Sequence, residues 1–152
     1  MNPQAAQTYL KTKVLTATPE QLQMMLFVAG IRSCEQARVA LQAKDYEKSF
    51  QALSKAQAIV NQLLCGLKSE IAPDLCKKLR SLYTFAYRRL VDANLNHRIE
   101  PLDEALNVLN YQRETWAMLM QQLAQKKAAA AASSLDIPAP DARMETSISM
   151  QG

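Results

Sequence analysis

The chain has 152 residues, of which 49% are hydrophobic, with a formal net charge of +4 and only three glycines. This length and apolar content are enough to bury the core of one domain, which excludes a wholly disordered chain, and the modest charge does not require a nucleic-acid partner. Leu, Ala, Gln, Met, Lys and Glu dominate, and these residues lose little conformational freedom in helices, so the composition favours an all-α fold.

The sequence shows neither a membrane span nor a secretion signal. No apolar run approaches the ~20 residues that cross a bilayer. The N-terminal segment MNPQAAQTYLK lacks the basic and apolar regions of a signal peptide. We therefore expect a cytoplasmic protein without membrane insertion, whose three cysteines are reduced and buried.

The first 17 residues are predicted to be an N-terminal arm, because their apolar residues follow no sustained period. Residues 18–21 then contain the parts of a helix start, with Thr18 as N-cap, Pro19 in the first turn and Gln21 completing a capping box. The apolar residues of the arm are Tyr9, Leu10, Val14 and Leu15.

The first bundle helix is predicted from about Pro19 to Ala43, and its first half is apolar around most of its circumference. A helix in a four-helix bundle hides one broad stripe, so we expect something else to cover the remaining apolar faces. The arm could serve this purpose when no partner is present. The apolar residues of this half are Leu22, Met24, Met25, Leu26, Phe27, Val28, Ala29 and Ile31.

Three further helices follow, and each has a start signal. Asp45 is a plausible N-cap for a helix that ends near Cys65, Pro73 opens one that ends near Leu95, and Pro101 opens one that ends near Lys127. The stripe of the second bundle helix includes Tyr46, Phe50, Leu53, Ile59, Val60, Leu63 and Leu64. That of the third includes Leu75, Leu79, Leu82, Ala86, Leu90 and Ala93, with Tyr83 and Tyr87 beside it.

The connections between these helices are short, so consecutive helices must be antiparallel neighbours. The sequence therefore predicts an antiparallel up-down four-helix bundle over residues 18–127, preceded by the arm at residues 1–17. Residues 128–152 are alanine-rich, then small, polar and proline-containing, and we predict a disordered tail there.

Residues for covalent chemistry or metal binding are sparse. His97 is the only histidine, and no glutamate stands three residues before it, which excludes the paired Glu-x-x-His sites of di-iron bundles. Cys34, Cys65 and Cys76 do not have zinc-ligand spacing, and no glycine-rich phosphate loop or nucleophile elbow occurs. We expect no catalytic residues, no metal and no cofactor, and interpret the chain as a binding protein.

Several motifs resemble the flagellin-specific export chaperones of bacterial flagella, the FliS family, between about Tyr9 and Trp116. Tyr9 precedes the segment VLTATPEQL at residues 14–22, which is similar to the family's tyrosine arm and helix start. The segments LSKA at residues 53–56, LRSLY at residues 79–83 and RRL at residues 88–90 follow in the family's order. Trp116 falls where the family carries a tryptophan in its fourth helix.

The resemblance implies a fold and a function. Members of the family are antiparallel four-helix bundles that bind the disordered C-terminal segment of flagellin, prevent its polymerisation in the cytoplasm and help deliver it to the type III export gate. Their N-terminal arm is thought to shield part of the binding groove. The sequence leaves open which flagellin is the client and whether the free protein is a homodimer.

From these considerations we predict a flagellin-binding site on the arm and on the first and third bundle helices. An alternative is a regulatory protein that sequesters an anti-sigma factor. A nucleic-acid binder that uses Arg80, Arg88 and Arg89 lacks interleaved aromatic residues, so we expect no nucleic-acid partner. The predicted site residues are Tyr9, Leu10, Val14, Leu15, Met25, Phe27, Val28, Ile31, Tyr83, Tyr87 and Asn94.

Overall fold

A computed structural model of the protein describes residues 2–135. Within this range the chain is all-α, as predicted, with five helices and no strand. The described residues up to Ala117 form one compact unit, and the last part of α5, from Met118, belongs to a second. The helices are α1 (Pro3–Thr16), α2 (Pro19–Gln42), α3 (Tyr46–Cys65), α4 (Pro73–Asn96) and α5 (Ile99–Leu135).

Local hydrogen bonds fix the starts of α2 and α3 at the predicted places. The backbone N–H of Gln21 donates to Oγ1 of Thr18 over 3.2 Å, and the N–H of Thr18 donates to Oε1 of Gln21 over 3.0 Å, so the capping box is complete. Asp45 caps α3 by accepting from the N–H of Lys48 over 3.2 Å. At the C-terminal end of α4, His97 adopts the left-handed conformation that stops a helix, with φ of 53°.

The arm is helical, which its sequence pattern did not indicate. No apolar stripe marks α1, and none of its residues is buried. Its bonds are local: Asn2 caps it by accepting from the N–H of Gln4, and the hydroxyls of Thr8, Thr12 and Thr16 each donate to the carbonyl four residues earlier. All of these bonds lie within α1 and involve no tertiary packing, so apolar periodicity could not reveal the helix.

The last helix also departs from its predicted range. It begins at Ile99 rather than Pro101, because proline is tolerated in a first turn, and it continues past Lys127 to Leu135. The extension contains the five consecutive alanines, which have the highest helix propensity. The part of the predicted disordered tail at residues 128–135 is therefore helical, and the part at residues 136–152 lies outside the described residues.

Contacts at the helix ends establish the up-down arrangement. Arg38, near the end of α2, pairs with Asp103, near the start of α5, over 3.1 Å. At the opposite end of α2, the indole N–H of Trp116 donates to the carbonyl of Glu20 over 2.9 Å. The two helices thus run antiparallel, and the same holds for α3 and α4, whose opposite termini meet where Tyr46 stacks on His97.

One hydrophobic core is shared by the four bundle helices. Its members recur every three to four residues on each helix, so each helix contributes one stripe. Gly30 on α2 marks the closest approach: an added Cβ would lie 3.3 Å from Cγ2 of Ile59 and 3.4 Å from Cδ1 of Leu109. The enclosed side chains include Phe27, Cys34, Ala37, Leu53, Ala56, Val60, Tyr83, Ala86, Leu90, Leu102, Ala105 and Leu109.

Two of these core residues carry ionisable groups whose charged forms the core disfavours. Burial raises the pKa of the Tyr83 phenol to about 12. Burial, with a smaller contribution from the negative charge of Glu35, raises the pKa of the Cys34 thiol to about 12. Both groups therefore stay neutral in the folded protein well into the alkaline range, which is compatible with their apolar surroundings.

Substitution of Gly30 tests the close helix packing. We expect Gly30→Val to lower the free energy of unfolding by about 1–3 kcal/mol, because the added carbons have no space between α3 and α5. Gly66→Ala is the matched control, since Gly66 has ordinary helical φ and ψ and its added Cβ would have only ordinary contacts. Urea denaturation measures both; equal stabilities for Gly30→Val and wild type would contradict the packing described.

Alkaline pH should destabilise the core. The unfolded chain ionises Cys34 and Tyr83 at their ordinary pKa values, whereas the folded chain holds both neutral until about pH 12. Because the folded pKa values are raised, stability is complete below about pH 9 and falls as pH rises toward 12.

In the Tyr83→Phe variant, the fall in the free energy of unfolding at alkaline pH should be smaller by about 1–2 kcal/mol. Tyr111→Phe, at an exposed ring, is the control and should retain the wild-type profile. Urea denaturation between pH 8 and pH 11 measures the difference. Parallel pH profiles for wild type and Tyr83→Phe would show that the phenol is not the group responsible.

Candidate functional site

The arm residues of the predicted site are all accessible. Tyr9 and Leu15 are 70% and 75% exposed, and Leu10 and Val14 are also exposed. No residue of α1 is buried, so α1 does not cover the apolar faces of the bundle in this conformation. The arm is available for a partner, and its contact with the bundle stays a prediction.

The predicted site residues on α2 divide between surface and core. Val28 is exposed and Met25 is half-buried, so both can contact a partner. Phe27 and Ile31 are enclosed in the core, where the Phe27 ring packs against Trp116 with the ring centroids 6.5 Å apart. The prediction that Phe27 and Ile31 lie on the binding surface is therefore corrected. Both side chains anchor α2 in the core.

The predicted residues on α4 divide in the same way. Tyr83 is enclosed in the core, because it lies seven residues after buried Cys76 and seven before buried Leu90. Tyr87 and Asn94 are half-buried, and Nδ2 of Asn94 donates to Oε1 of Gln57 on α3 over 3.1 Å. The accessible part of the predicted α4 site therefore lies along its junction with α3.

Apolar side chains assigned to the core stripes from the sequence lie instead on the surface. Phe50 on α3 is 61% exposed, because the buried stripe passes through its neighbour Ser49 and through Leu53. Leu75 on α4 is exposed for the same reason, since Cys76 occupies the buried position. Phe85 adds a further exposed apolar side chain on α4.

Seven-residue spacing would have distinguished these positions. On α3, Ser49, Ala56 and Leu63 are buried at intervals of seven, with Leu53 and Val60 between them. This is the a/d pattern of helical bundles, and Phe50 lies outside it. Large apolar residues that do not fit this seven-residue spacing, such as Phe50, are the sequence signal for exposed apolar surface, and the stripes predicted from the sequence did not take it into account.

Few features of the described chain suggest a chemical role. Cys34 and Cys76 are buried as expected, whereas Cys65 is exposed, which corrects the prediction for that thiol; all three are free. Within residues 2–135, no group of three potential metal ligands occurs. No described helix is long and apolar enough to cross a membrane.

The basic residues considered for nucleic-acid binding do not act as one patch. Arg89 pairs with Asp92 over 3.4 Å and with Glu104 over 3.8 Å. The charge of Arg89 is thus paired with carboxylates of the bundle, whereas Arg80 and Arg88 are exposed. The arrangement favours ion pairs between helices over a continuous surface for phosphates.

Comparison with known proteins agrees with the fold. A solved structure described as a flagellar chaperone from bacteria matches 78% of this chain and 97% of its own length, with a TM-score of 0.65 and 18% sequence identity. At this identity the match concerns the fold alone. The antiparallel helical bundle is thus found in a flagellar chaperone.

Sequence comparison extends the relationship. The flagellar secretion chaperone FliS of Salmonella typhimurium is 33% identical over 115 residues, which are 75% of this chain and 85% of the relative. That of Bacillus subtilis is 32% identical over 120 residues, which are 79% of this chain and 87% of the relative. The family model for the flagellar protein FliS matches residues 1–123. This chain therefore belongs to the FliS family of flagellar secretion chaperones.

Proposed function

We propose that this protein binds the disordered C-terminal segment of flagellin in the cytoplasm, prevents its premature polymerisation and assists its export by the flagellar type III secretion system. The observation that carries the proposal is the number of large apolar side chains exposed on a well-packed bundle. Val28 on α2, Phe50 on α3, and Phe85 and Leu95 on α4 are all exposed. Family membership supports a flagellar protein as the partner.

A disordered client suits such a surface. A segment that lacks its own core can bury its apolar residues against the outer faces of the bundle, as an amphipathic helix does in a groove. The cost of ordering the segment reduces the net affinity, and this permits release at the export gate. The chaperone needs no cofactor for this cycle.

Accessible residues from three helices would make the contacts. The arm supplies Tyr9, Leu10, Val14 and Leu15, α2 supplies Met25 and Val28, and Tyr87 and Asn94 supply polar groups at the α3–α4 junction. Phe27, Ile31 and Tyr83 would act from the core by holding these surfaces in place.

Calorimetry tests the proposal. The purified protein is titrated with a peptide of the last ~50 residues of flagellin from the same organism, and we expect one-to-one binding with a negative heat-capacity change. A protein that lacks residues 1–15 should bind severalfold more weakly, because it loses the contacts of the arm with the client. Tyr9→Ala should reproduce part of this loss, whereas the control Thr8→Ala on the same helix should not.

The outcomes are distinct. Equal affinities for the truncated and full-length proteins would remove the arm from the binding surface while leaving the chaperone function in place. Absence of binding by both would exclude flagellin as the client. A regulatory partner such as an anti-sigma factor would then be the next ligand to titrate.

A further inference from the structure

A groove runs between the second half of α2 and the first half of α3, with a volume of about 790 Å³. It lies outside the residues predicted from the sequence to bind a partner. The groove is formed by one compact unit of the chain, so its two walls are held by the shared core.

Four apolar residues form one part of the lining of this groove, which we call its floor. Ala40 and Ala52 lie on the two facing helices, Ala43 lies at the connection between them, and Val39 is 66% exposed. Short side chains on both walls allow another helix to approach closely, since the distance between helix axes depends on the side chains at the contact. A partner helix with small or branched apolar residues on one face would fill this floor.

The rim carries an excess of available positive charge. Lys48 pairs with Asp45 over 3.7 Å, so these two charges offset each other. Arg32 and Lys55 line the groove and form no ion pair within the described chain, and Glu35 is the remaining acid of the lining. Two free cations against one acid favour a partner with carboxylates beside its apolar face.

The groove continues the accessible face of α2. Val28, Arg32, Glu35 and Val39 are all exposed and follow one another at helical spacing, so they form one row along α2. A client helix that contacts Val28 and lies along this row enters the groove without changing direction. The groove and the proposed client surface are therefore continuous.

We propose that the α2–α3 groove is the docking site of an amphipathic helix of the client, with small apolar residues on the floor and carboxylates facing Arg32 and Lys55. This inference rests on the proposed function and adds the chemistry that the client segment must present. Arg32 and Lys55 are then specificity-determining residues, because they discriminate against client helices with basic flanks.

Charge reversal in the groove tests the inference. The flagellin peptide used above is titrated into wild type, Arg32→Glu/Lys55→Glu and a control, Lys78→Glu/Arg80→Glu, which makes the same charge change at exposed positions outside the groove. We expect the groove variant to bind about tenfold more weakly and the control to match wild type within about twofold. Ala43→Trp, which fills the floor without changing charge, should also weaken binding.

Two further measurements separate the groove from general effects. A peptide whose carboxylates are replaced by amides should bind wild type and the groove variant equally, because the charge contact is absent in both. Hydrogen exchange of the wild-type complex should show increased protection over residues 32–55, and circular dichroism confirms that each variant is folded.

The results discriminate between this inference and the proposed function. Binding to wild type and the groove variant with equal affinity, or no added protection over residues 32–55, would overturn the groove site and leave the chaperone function in place. If wild type does not bind the peptide at all, the proposed function fails and the groove inference fails with it.

Discussion

The narrow buried stripe of each of the four bundle helices, α2 to α5, is the constraint on which the rest of this structure depends. The core positions follow seven-residue spacing on α4, where Cys76, Tyr83 and Leu90 are buried, and on α5, where Leu102 and Leu109 are. Alanines between them keep the helices close. A stripe this narrow leaves most of the surface of each bundle helix outside the core, so each of them has a large face that is accessible to a partner.

The sequence predicted the helices better than it predicted their faces. Capping signals are local, so Thr18 and Asp45 identified the starts of α2 and α3 correctly. The face that a residue occupies depends on the partners of its helix, and a change of one position rotates a side chain by roughly 100°. The apolar pattern placed Phe50 and Leu75 in the core, but the buried positions are those of their neighbours Ser49 and Cys76.

The candidate site was only partly recoverable from the sequence. Apolar content around α2 indicated a surface beyond the core, but could not separate Val28, which is exposed, from Phe27, which packs against Trp116. The groove between α2 and α3 gave no signal, because alanine is also common in cores, and nothing in the sequence distinguishes an alanine that lines a groove from one in the core. Its recognition required the positions of both walls.

The same arrangement interrupts the apolar surface of α2 with charged residues. Along α2, Arg32 and Glu35 lie between Val28 and Val39, so no large continuous apolar patch forms on this row. A flexible segment can match such an alternation, because it adjusts its register residue by residue. Interrupted apolar rows on a rigid core thus suit the disordered client proposed above.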